Sequence, residues 1–477
     1  MFQASHPVPF LDYFRIPYDV DAREASANGH PSLGSLRPKD ADVSERTLYW
    51  PKTDDASGAV AGAWRCDSAT IYARAISDPE AAAWLPGAGT WHRSSSLESV
   101  GGGSSASIWR DGAGNTFLPF DPGSAIQTFL TESYREVDSP TVARKAKGAA
   151  MRSYYRARPL LPRPAQIWMR RIFSRLQART QFPRWPIETS LHDLHALLFQ
   201  QVGQLTEARV PSIAPWPEGY SWALVLTHDV ETAAGYERVP LVRDLEERAG
   251  YRSSWNFVPL RYEVEDHLVD DLLKRGFEVG VHGLHHDGRD LESRATLEER
   301  LPQMRAYAER WGASGFRSPA THRDPELMPL LGFDYDSSYP DTDPFEPQGG
   351  GCCSWLPYFN GDLVELPITL PQDHTLFVIL QQQDERMWLE KAEHLRSRGG
   401  MALLDTHPDY MDALVLGAYG RFLEAFGGDP TAWRALPRDI ATWWRRRAAS
   451  KLVRDGGEWR VVGPAAGEAA IAYTDGI

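Results

Sequence analysis

Short apolar runs alternate with amphipathic segments over the second half of the chain, from about Trp216 onward. An apolar run bounded by turn residues is typical of a buried strand, whereas apolar positions spaced by three and four residues are typical of a surface helix. The pattern predicts strands at residues 221–227, 253–260, 277–283, 315–319, 363–369 and 401–407, with helices between them. Such alternation favours right-handed βα units, so we expect an α/β fold with a parallel sheet, either a barrel or a doubly wound sheet.

The rest of the chain has a different texture, in which short alternating stretches are mixed with turn-rich sequence and with one basic region. A length of 477 residues also exceeds one average domain. We therefore predict a mixed or β-rich N-terminal domain of unknown role (1–125), a basic helical connector (126–214), the α/β domain (215–430) and a C-terminal extension of helix and strand (431–477).

The basic region is concentrated in residues 139–187, which contain twelve Lys and Arg residues and no acidic residue. Within it, the apolar side chains Trp168, Met169, Ile172, Phe173 and Leu176 gather on one face of a predicted helix at about 165–179. Two interpretations fit this basic amphipathic helix. It packs its apolar stripe on the next domain, or it contacts an anionic lipid surface or polymer.

Composition excludes several classes of protein. The formal net charge of −13 argues against a protein whose whole surface neutralises nucleic-acid phosphate, so no nucleic-acid partner is expected. No apolar run approaches the ~20 residues that cross a bilayer, and the first residues lack the order of a secretory signal. Three cysteines cannot build a disulfide framework. We therefore expect a cytoplasmic protein.

Candidate chemistry lies where the predicted strands end. Asp229 and Glu231 are two residues apart, so on a strand both carboxylates face the same side. One of them can bind a cation while the other takes a proton from water. His282 and His286 are four residues apart after another strand, and two imidazoles at that spacing can converge on one metal ion. His407 ends a further strand and is a candidate general acid, because its unperturbed pKa is about 6.5.

Four short motifs occur in order along this region and together resemble the polysaccharide deacetylase family, also called the NodB-homology or carbohydrate esterase family 4 group. They are THDVE at 227–231, HGLHH at 282–286, RSPA at 317–320 and LLDTHP at 403–408. The resemblance implies a distorted (β/α)7 barrel. It also implies one divalent metal ion, most often Zn²⁺, with Co²⁺ and Ni²⁺ as other candidates, and hydrolysis of N-acetyl or O-acetyl groups on a sugar.

The resemblance also assigns roles by position. Asp229 matches the catalytic base of the family, His282 and His286 match metal ligands, Arg317 matches the residue that orients the base, and His407 matches the catalytic acid.

One position departs from the family pattern, because Val230 stands where many members have a second Asp. Either Glu231 completes the metal site together with the two histidines, or Asp229 binds the metal and the base is missing or differs. The spacing of two residues favours Glu231 as the ligand.

Two further features are candidates for substrate binding. The Gly-rich stretch 348–361 has the length of a lid or groove wall, in which Trp355 or Tyr358 could stack on a sugar ring. Asp373 and His374 follow another strand and could line the pocket or cap a helix.

The function expected from these features is metal-dependent removal of acetyl groups from a carbohydrate, such as a polysaccharide, a glycan precursor or a lipid-linked sugar. Two alternatives remain open. Hydrolases of small cyclic or linear amides also resemble this family, and a catalytically weak barrel could serve as a binding scaffold. In either case the basic helix could hold the protein peripherally at the inner membrane surface. The sequence does not determine the oligomeric state.

Overall fold

The structure is a computed structural model that describes residues 1–21, 33–39, 46–52, 59–66, 69–87, 89–138, 163–206 and 208–474. The chain forms two compact units, and each is built from stretches that are separated in the sequence. The N-terminal unit comprises Met1–Arg144, Thr189–Pro215 and Arg446–Ile477. The α/β unit comprises Lys145–Glu188 and Trp216–Arg445.

The strands in the described residues are β1 (Phe2–Ala4), β2 (Tyr18–Val20), β3 (Leu33–Pro38), β4 (Leu48–Pro51), β5 (Ala59–Cys66), β6 (Ala69–Ile76), β7 (Trp91–Ser99), β8 (Ser105–Asp111), β9 (Thr116–Phe117), β10 (Val210–Pro217), β11 (Trp222–Val230), β12 (Ser254–Phe257), β13 (Glu278–Val281), β14 (Gly315–Phe316), β15 (Tyr335–Asp336), β16 (Tyr358–Asn360), β17 (Leu363–Glu365), β18 (Met401–Thr406), β19 (Ala432–Arg434), β20 (Lys451–Asp455), β21 (Glu458–Val462) and β22 (Ala469–Thr474).

The helices in the same residues are α1 (Pro9–Phe14), α2 (Asp78–Ala81), α3 (Pro122–Leu130), α4 (Tyr134–Asp138), α5 (Arg163–Gln177), α6 (Ser190–Thr206), α7 (Ala233–Arg248), α8 (Asp266–Lys274), α9 (Arg294–Trp311), α10 (Arg386–Ser397), α11 (Ala413–Phe426) and α12 (Pro437–Ala448). Short helical segments occur at Pro319–Thr321, Met328–Leu331, His374–Ile379 and Pro408–Tyr410. Of these helices, none is both long enough and apolar enough to span a membrane.

The N-terminal unit is built on a mixed sheet with the strand order β2-β1-β3-β4-β9-β8-β7-β5-β6. Most neighbouring pairs are antiparallel, and β4 pairs with β9 in the parallel direction. Leu33, Ile76, Trp84 and Phe117 form a buried apolar cluster in this unit.

The unit boundaries differ from the predicted segments. The predicted connector 126–214 is divided between the two units, and so is the predicted extension 431–477. Buried Arg447 illustrates the physical reason, since its guanidinium donates to the backbone oxygens of Tyr13, Ile213 and Ala214. Bonds of this kind join stretches that are far apart in the sequence, which local patterns cannot indicate.

The α/β unit is built on a sheet with the order β16-β17-β15-β14-β13-β12-β11-β18. All neighbouring pairs are parallel apart from β16, which pairs antiparallel with β17 at the edge. Every residue of β11 is buried, as expected for a central parallel strand covered on both faces. The parallel sheet confirms the expected α/β class. The very short β15 was not predicted.

The sheet curls so that its two outer parallel strands approach each other. Thr369 and Leu370, just beyond β17, donate backbone hydrogen bonds to Leu403 of β18 at 3.2 and 3.0 Å. The Thr369 hydroxyl adds a bond to the carbonyl of Met401. These bonds do not form a regular ladder, so the sheet is a half-barrel in which irregular backbone joins the two outer strands.

Polar side chains determine where the helices of this unit begin. Thr232 accepts a hydrogen bond from Gly235 N at the start of α7, and Ser293 accepts one from Thr296 N at the start of α9. Such caps satisfy amide groups that have no partner inside the helix. Helix α7 therefore starts shortly after β11, whereas α9 starts after the longer loop that carries His282 and His286.

Candidate active site

The carboxyl ends of four parallel strands bring the predicted site residues together. Asp229 lies next to the last residue of β11. His282 follows β13, Arg317 follows β14, and His407 follows β18. All four side chains are buried. In βα barrels, sites form at this end of the sheet, because the strand-to-helix loops converge there.

Glu231, His282 and His286 form one group, which we call the histidine cluster. Each contributes one nitrogen or oxygen atom, and these atoms lie within 4.8 Å of one another. The Nδ1 atom of His282 is 3.1 Å from the backbone oxygen of Arg317, so it carries the proton and leaves Nε2 with a lone pair. That Nε2 atom is buried and has no hydrogen-bond partner.

His286 has a similar character. Its Nε2 atom is 2.9 Å from Oε1 of Glu231, yet neither ring nitrogen makes an aligned hydrogen bond. Burial alone would raise the pKa of Glu231, but the neighbouring His286 lowers it well below its usual value. Glu231 is therefore ionised at neutral pH. The separation of 2.9 Å between His286 Nε2 and Glu231 Oε1 is also one that two ligands of a shared cation can have.

The loop that carries His286 is held firmly. His286 has φ of 56°, a left-handed conformation that is uncommon for a buried residue other than glycine and recurs at functional sites. Arg300 bonds the loop through Asp287 and Asp290 at 2.6–2.7 Å, and Asp290 also accepts from Leu284 N. Gly283 is required here, because a Cβ atom would lie 2.4 Å from the Asp290 carboxylate.

The histidine cluster fits a divalent metal ion. Burial lowers the pKa of His282 to about 4, so its imidazole is neutral at pH 7 and can act as a ligand. Two imidazoles and one carboxylate form a donor set that suits Zn²⁺ and similar ions. Buried nitrogens without partners would otherwise cost free energy.

A second group contains Asp229, Arg317 and Asp405, and we call it the arginine network. The Arg317 guanidinium forms ion pairs with Asp405 at 2.9 Å and with Asp229 at 3.5 Å. It also donates to the hydroxyls of Thr227 and Ser337 at 3.1 Å. Asp229, Asp405 and His407 have a spacing that could hold a metal ion. A permanent cation already lies beside both of these carboxylates, so we assign no metal to this group.

Asp229 lies between Asn256 and the histidine cluster. Its Oδ1 atom accepts from Asn256 Nδ2 at 2.8 Å, and its Oδ2 atom lies 3.6 Å from His282 Nδ1. Burial tends to raise the pKa of Asp229, but His282 and Arg317 lower it below its usual value. The carboxylate is therefore ionised at neutral pH and is held beside the histidine cluster.

His407 is paired with Asp373. Its Nδ1 atom is 2.7 Å from Asp373 Oδ1, and its backbone N donates to Asp373 Oδ2 at 2.8 Å. Burial favours the neutral ring, but Asp373 and Asp405 raise the pKa of His407 well above its usual value. The ring is therefore protonated at neutral pH. Its Nε2–H is directed away from Asp373, on the side where Asp405 lies at 4.0 Å.

Asp373 was predicted to line the pocket or to cap a helix, and the structure favours the second, since its Oδ1 atom accepts from His374 N at the start of the segment His374–Ile379. Its carboxylate is buried behind His407, and both of its oxygens bond to that residue. His374 is half-buried, and its ring centroid lies 5.0 Å from that of Tyr410. The Tyr410 hydroxyl lies 3.4 Å from Glu231 Oε2, so His374 and Tyr410 flank the histidine cluster.

Trp355 and Tyr358 were also predicted to contact substrate, and the structure places both in the core. Trp355 is 4% exposed, and its backbone oxygen accepts from Met401 N at the opposite, amino end of β18. Tyr358 lies on β16 and packs near Tyr339. The stretch 350–356 is buried throughout, so it is not a lid.

The sequence analysis missed Asp405 and Asn256. Asp405 precedes His407 by two residues, so the spacing that paired Asp229 with Glu231 could have indicated it. Asn256 carries no such local signal. It faces Asp229 because β12 pairs with β11 in a register that sets these two residues side by side.

No protein-family model matches the chain, and no curated protein matches it. Among solved structures, the chain is similar to one from Mycobacterium smegmatis described as a polysaccharide deacetylase, with 19% identity and a TM-score of 0.40 over 51% of this chain and 98% of that one. It is similar to an allantoinase, with 18% identity and a TM-score of 0.41 over 56% of this chain and 98% of that one.

It is also similar to a family 4 carbohydrate esterase from Streptomyces lividans, with 13% identity and a TM-score of 0.31 over 45% of this chain and 91% of that one. Polysaccharide deacetylases, the family that the four motifs resemble, are thus among the solved structures to which the chain is similar.

Proposed function

We propose that the protein is a hydrolase that uses a divalent metal ion to remove an acetyl group from nitrogen or oxygen of a carbohydrate. The observation that carries the proposal is the histidine cluster, in which Nε2 of His282 and both ring nitrogens of His286 are buried without an aligned hydrogen bond and converge with Glu231. The four ordered motifs support the choice of reaction and of an acetylated sugar as substrate.

Glu231, His282 and His286 would hold the metal ion, with Zn²⁺ as the first candidate and Co²⁺ or Ni²⁺ as others. A cation bound there supplies positive charge that polarises an acyl carbonyl and makes a nearby water molecule more acidic. This choice of ligands leaves Asp229 outside the metal site, because Asn256 and Arg317 already engage its oxygens.

The two remaining groups divide the proton transfers. Asp229 is ionised and accepts the proton of the attacking water at its carboxylate. His407 is protonated on both nitrogens, so its Nε2–H can donate to the departing amine or hydroxyl while Asp373 stabilises the ring. Arg317 positions Asp229 and balances the charge of Asp405. Each step thus has a group in the required protonation state at neutral pH.

A screen of acetate release tests the proposal. The substrates are acetylated glycans and peptidoglycan fragments, each incubated with the metal-free protein and with added Zn²⁺, Co²⁺ or Ni²⁺. We expect acetate release that requires metal and that is lost in Asp229→Asn but retained in Asp270→Asn, a substitution at an exposed helix position. Equal release by both variants would contradict the assigned base.

The same screen includes small cyclic and linear amides. Turnover of an amide with no acetate release from any glycan would replace the carbohydrate substrate with the amide alternative. A protein that takes up no stoichiometric metal and turns over no substrate would be a scaffold, and the proposed function would be wrong.

A further inference from the structure

Helix α5 exposes its apolar face. The side chain of Trp168 is 63% exposed and that of Leu176 is 58% exposed, with Ile172 and Phe173 at 43% and 40%. One of the two interpretations from sequence was that this stripe packs on the next domain, and the exposure contradicts it. Isolated exposed apolar residues are common, but four on one helix form a patch of the kind that marks an interaction surface.

The opposite, polar face of α5 holds it to the α/β unit. Arg170 donates to the backbone oxygen of Phe345 at 3.0 Å, and Arg171 donates to that of Val378 at 2.9 Å. Gln177 donates to the backbone oxygen of Glu346 at 3.1 Å. The helix therefore has the reverse of the usual arrangement, because its polar side chains face the protein and its apolar side chains face outward.

The charge around the exposed face indicates what it contacts. Arg175 is exposed and, at 100° per residue, falls within about 20° of Trp168 around the helix axis; Arg179 is exposed in the turn directly after α5. The surrounding segment 139–187 has no acidic residue, although the chain as a whole carries a net charge of −13. An acid-free basic segment with an outward apolar stripe is complementary to an anionic bilayer, into which Trp and Leu insert while Arg meets lipid phosphate.

The segments that α5 holds lie at the candidate active site. Val378 belongs to the helical segment His374–Ile379, which starts directly after Asp373, the partner of His407. Glu346 lies near the same segment, since the Thr375 hydroxyl donates to its carboxylate at 3.4 Å. Docking through α5 would thus bring the site-bearing unit to a lipid surface.

We propose that the outward face of α5, formed by Trp168, Ile172, Phe173 and Leu176 and flanked by Arg175 and Arg179, docks the protein on an anionic lipid bilayer. A protein partner or a second copy of the chain could also cover an apolar face, but neither explains the local absence of acidic residues. The proposal concerns binding alone, so it does not depend on the proposed hydrolase activity.

Vesicle co-sedimentation with the full chain tests this proposal, using vesicles of phosphatidylglycerol and phosphatidylcholine or of phosphatidylcholine alone. We expect binding to the anionic vesicles that weakens at high salt, as screening predicts. The pair Trp168→Ser and Leu176→Ser, and separately the pair Arg175→Glu and Arg179→Glu, should each reduce the partition coefficient about tenfold or more.

Matched controls come from α7 of the same unit, where Leu241 and Arg248 are exposed. Leu241→Ser and Arg248→Glu should bind vesicles as the unmodified chain does. All of these side chains are exposed, so the variants should keep the melting temperature of the unmodified protein, which a thermal scan checks.

Three results would overturn the proposal. The first is no binding of the unmodified chain to anionic vesicles, and the second is equal binding to neutral vesicles without any effect of salt. The third is a dimer in sedimentation analysis that Trp168→Ser and Leu176→Ser convert to a monomer with no change in vesicle binding. In that case a second copy covers the face. Acetate release from a soluble substrate is measured separately, so failure of the docking proposal leaves the hydrolase proposal standing.

Discussion

The histidine cluster and the arginine network lie side by side at the end of one sheet, and they differ in whether they contain a permanent positive charge. In the arginine network, the guanidinium of Arg317 pairs with two carboxylates and donates to two hydroxyls. In the histidine cluster, buried nitrogens of His282 and His286 have no hydrogen-bond partner. Buried atoms of Arg317 and Asp405 also lack an aligned hydrogen bond, but their network contains a permanent cation, whereas the histidine cluster contains none and could gain one only from a bound metal ion.

This difference divides the expected roles. The arginine network can orient a base and balance charge without any added ion, because its own cation is permanent. The histidine cluster needs an added cation to offset the ionised Glu231 and to bind the imidazole lone pairs. Substitutions in the histidine cluster should therefore lower metal content, whereas substitutions in the arginine network should lower turnover alone.

The largest effect should follow removal of a ligand from the histidine cluster. We expect His286→Ala to lose stoichiometric metal and to slow turnover about a thousandfold or more, since a catalytic metal contributes several kcal/mol to the transition state. His285→Ala is the matched control, because this neighbouring histidine is exposed. Elemental analysis and initial rates on the same preparations make the measurement. Equal metal content in the two variants would remove His286 from the metal site.

The next largest effect separates Asp229 from Glu231. Asp229→Asn should keep its metal and lose about 10²–10⁴ in turnover, the range for loss of a general base. Glu231→Gln should instead weaken metal affinity, measured by calorimetric titration of the metal-free protein. This comparison decides which carboxylate is the ligand. If Asp229→Asn loses the metal and Glu231→Gln keeps it, the two carboxylates have the opposite roles.

A smaller effect is expected from Arg317→Lys. Lysine keeps one positive charge but cannot span Asp229 and Asp405 with a planar fork, so the base would be less well oriented and turnover should fall about tenfold to a hundredfold. The nearby guanidinium lowers the pKa of Asp229. Moving the charge away should therefore raise that pKa and shift the acidic limb of the pH profile to higher pH. An unchanged limb would show that Arg317 does not act through Asp229.

The sequence predicted those parts of the fold and site that depend on local spacing. The alternation of strands and helices predicted a parallel sheet, and the spacing of two residues predicted that Asp229 and Glu231 would enter one site. By contrast, Asn256 meets Asp229 through strand register, and Asp373 reaches His407 across 34 residues of chain. Contacts of this kind depend on the neighbours that folding creates.

The outward face of α5 could not be predicted for a related reason. The apolar stripe on Trp168, Ile172 and Leu176 is visible in the sequence, but which face packs depends on the backbone oxygens that Arg170 and Arg171 reach. Apolar spacing identifies a helix with two faces. It does not identify the inward face, because that face depends on hydrogen bonds between arginine side chains and carbonyl groups of segments distant in the sequence.

The smallest effect should come from Asp373→Asn, which tests whether a residue outside both groups sets the protonation state of His407. Asp373 does not touch Arg317, but it raises the pKa of His407, and the proposed acid must be protonated to donate. Activity therefore falls as the pH rises through the pKa of His407, and this forms the basic limb of the pH profile. Without the carboxylate, that pKa should drop and the limb should move to lower pH.

Turnover at neutral pH should fall about tenfold in Asp373→Asn. Below the shifted limb the variant should approach the unmodified enzyme, since asparagine can still accept a hydrogen bond. Metal content should not change, because Asp373 lies outside the histidine cluster. A uniform loss of activity at every pH would mean that Asp373 supports the fold and does not set the protonation of His407.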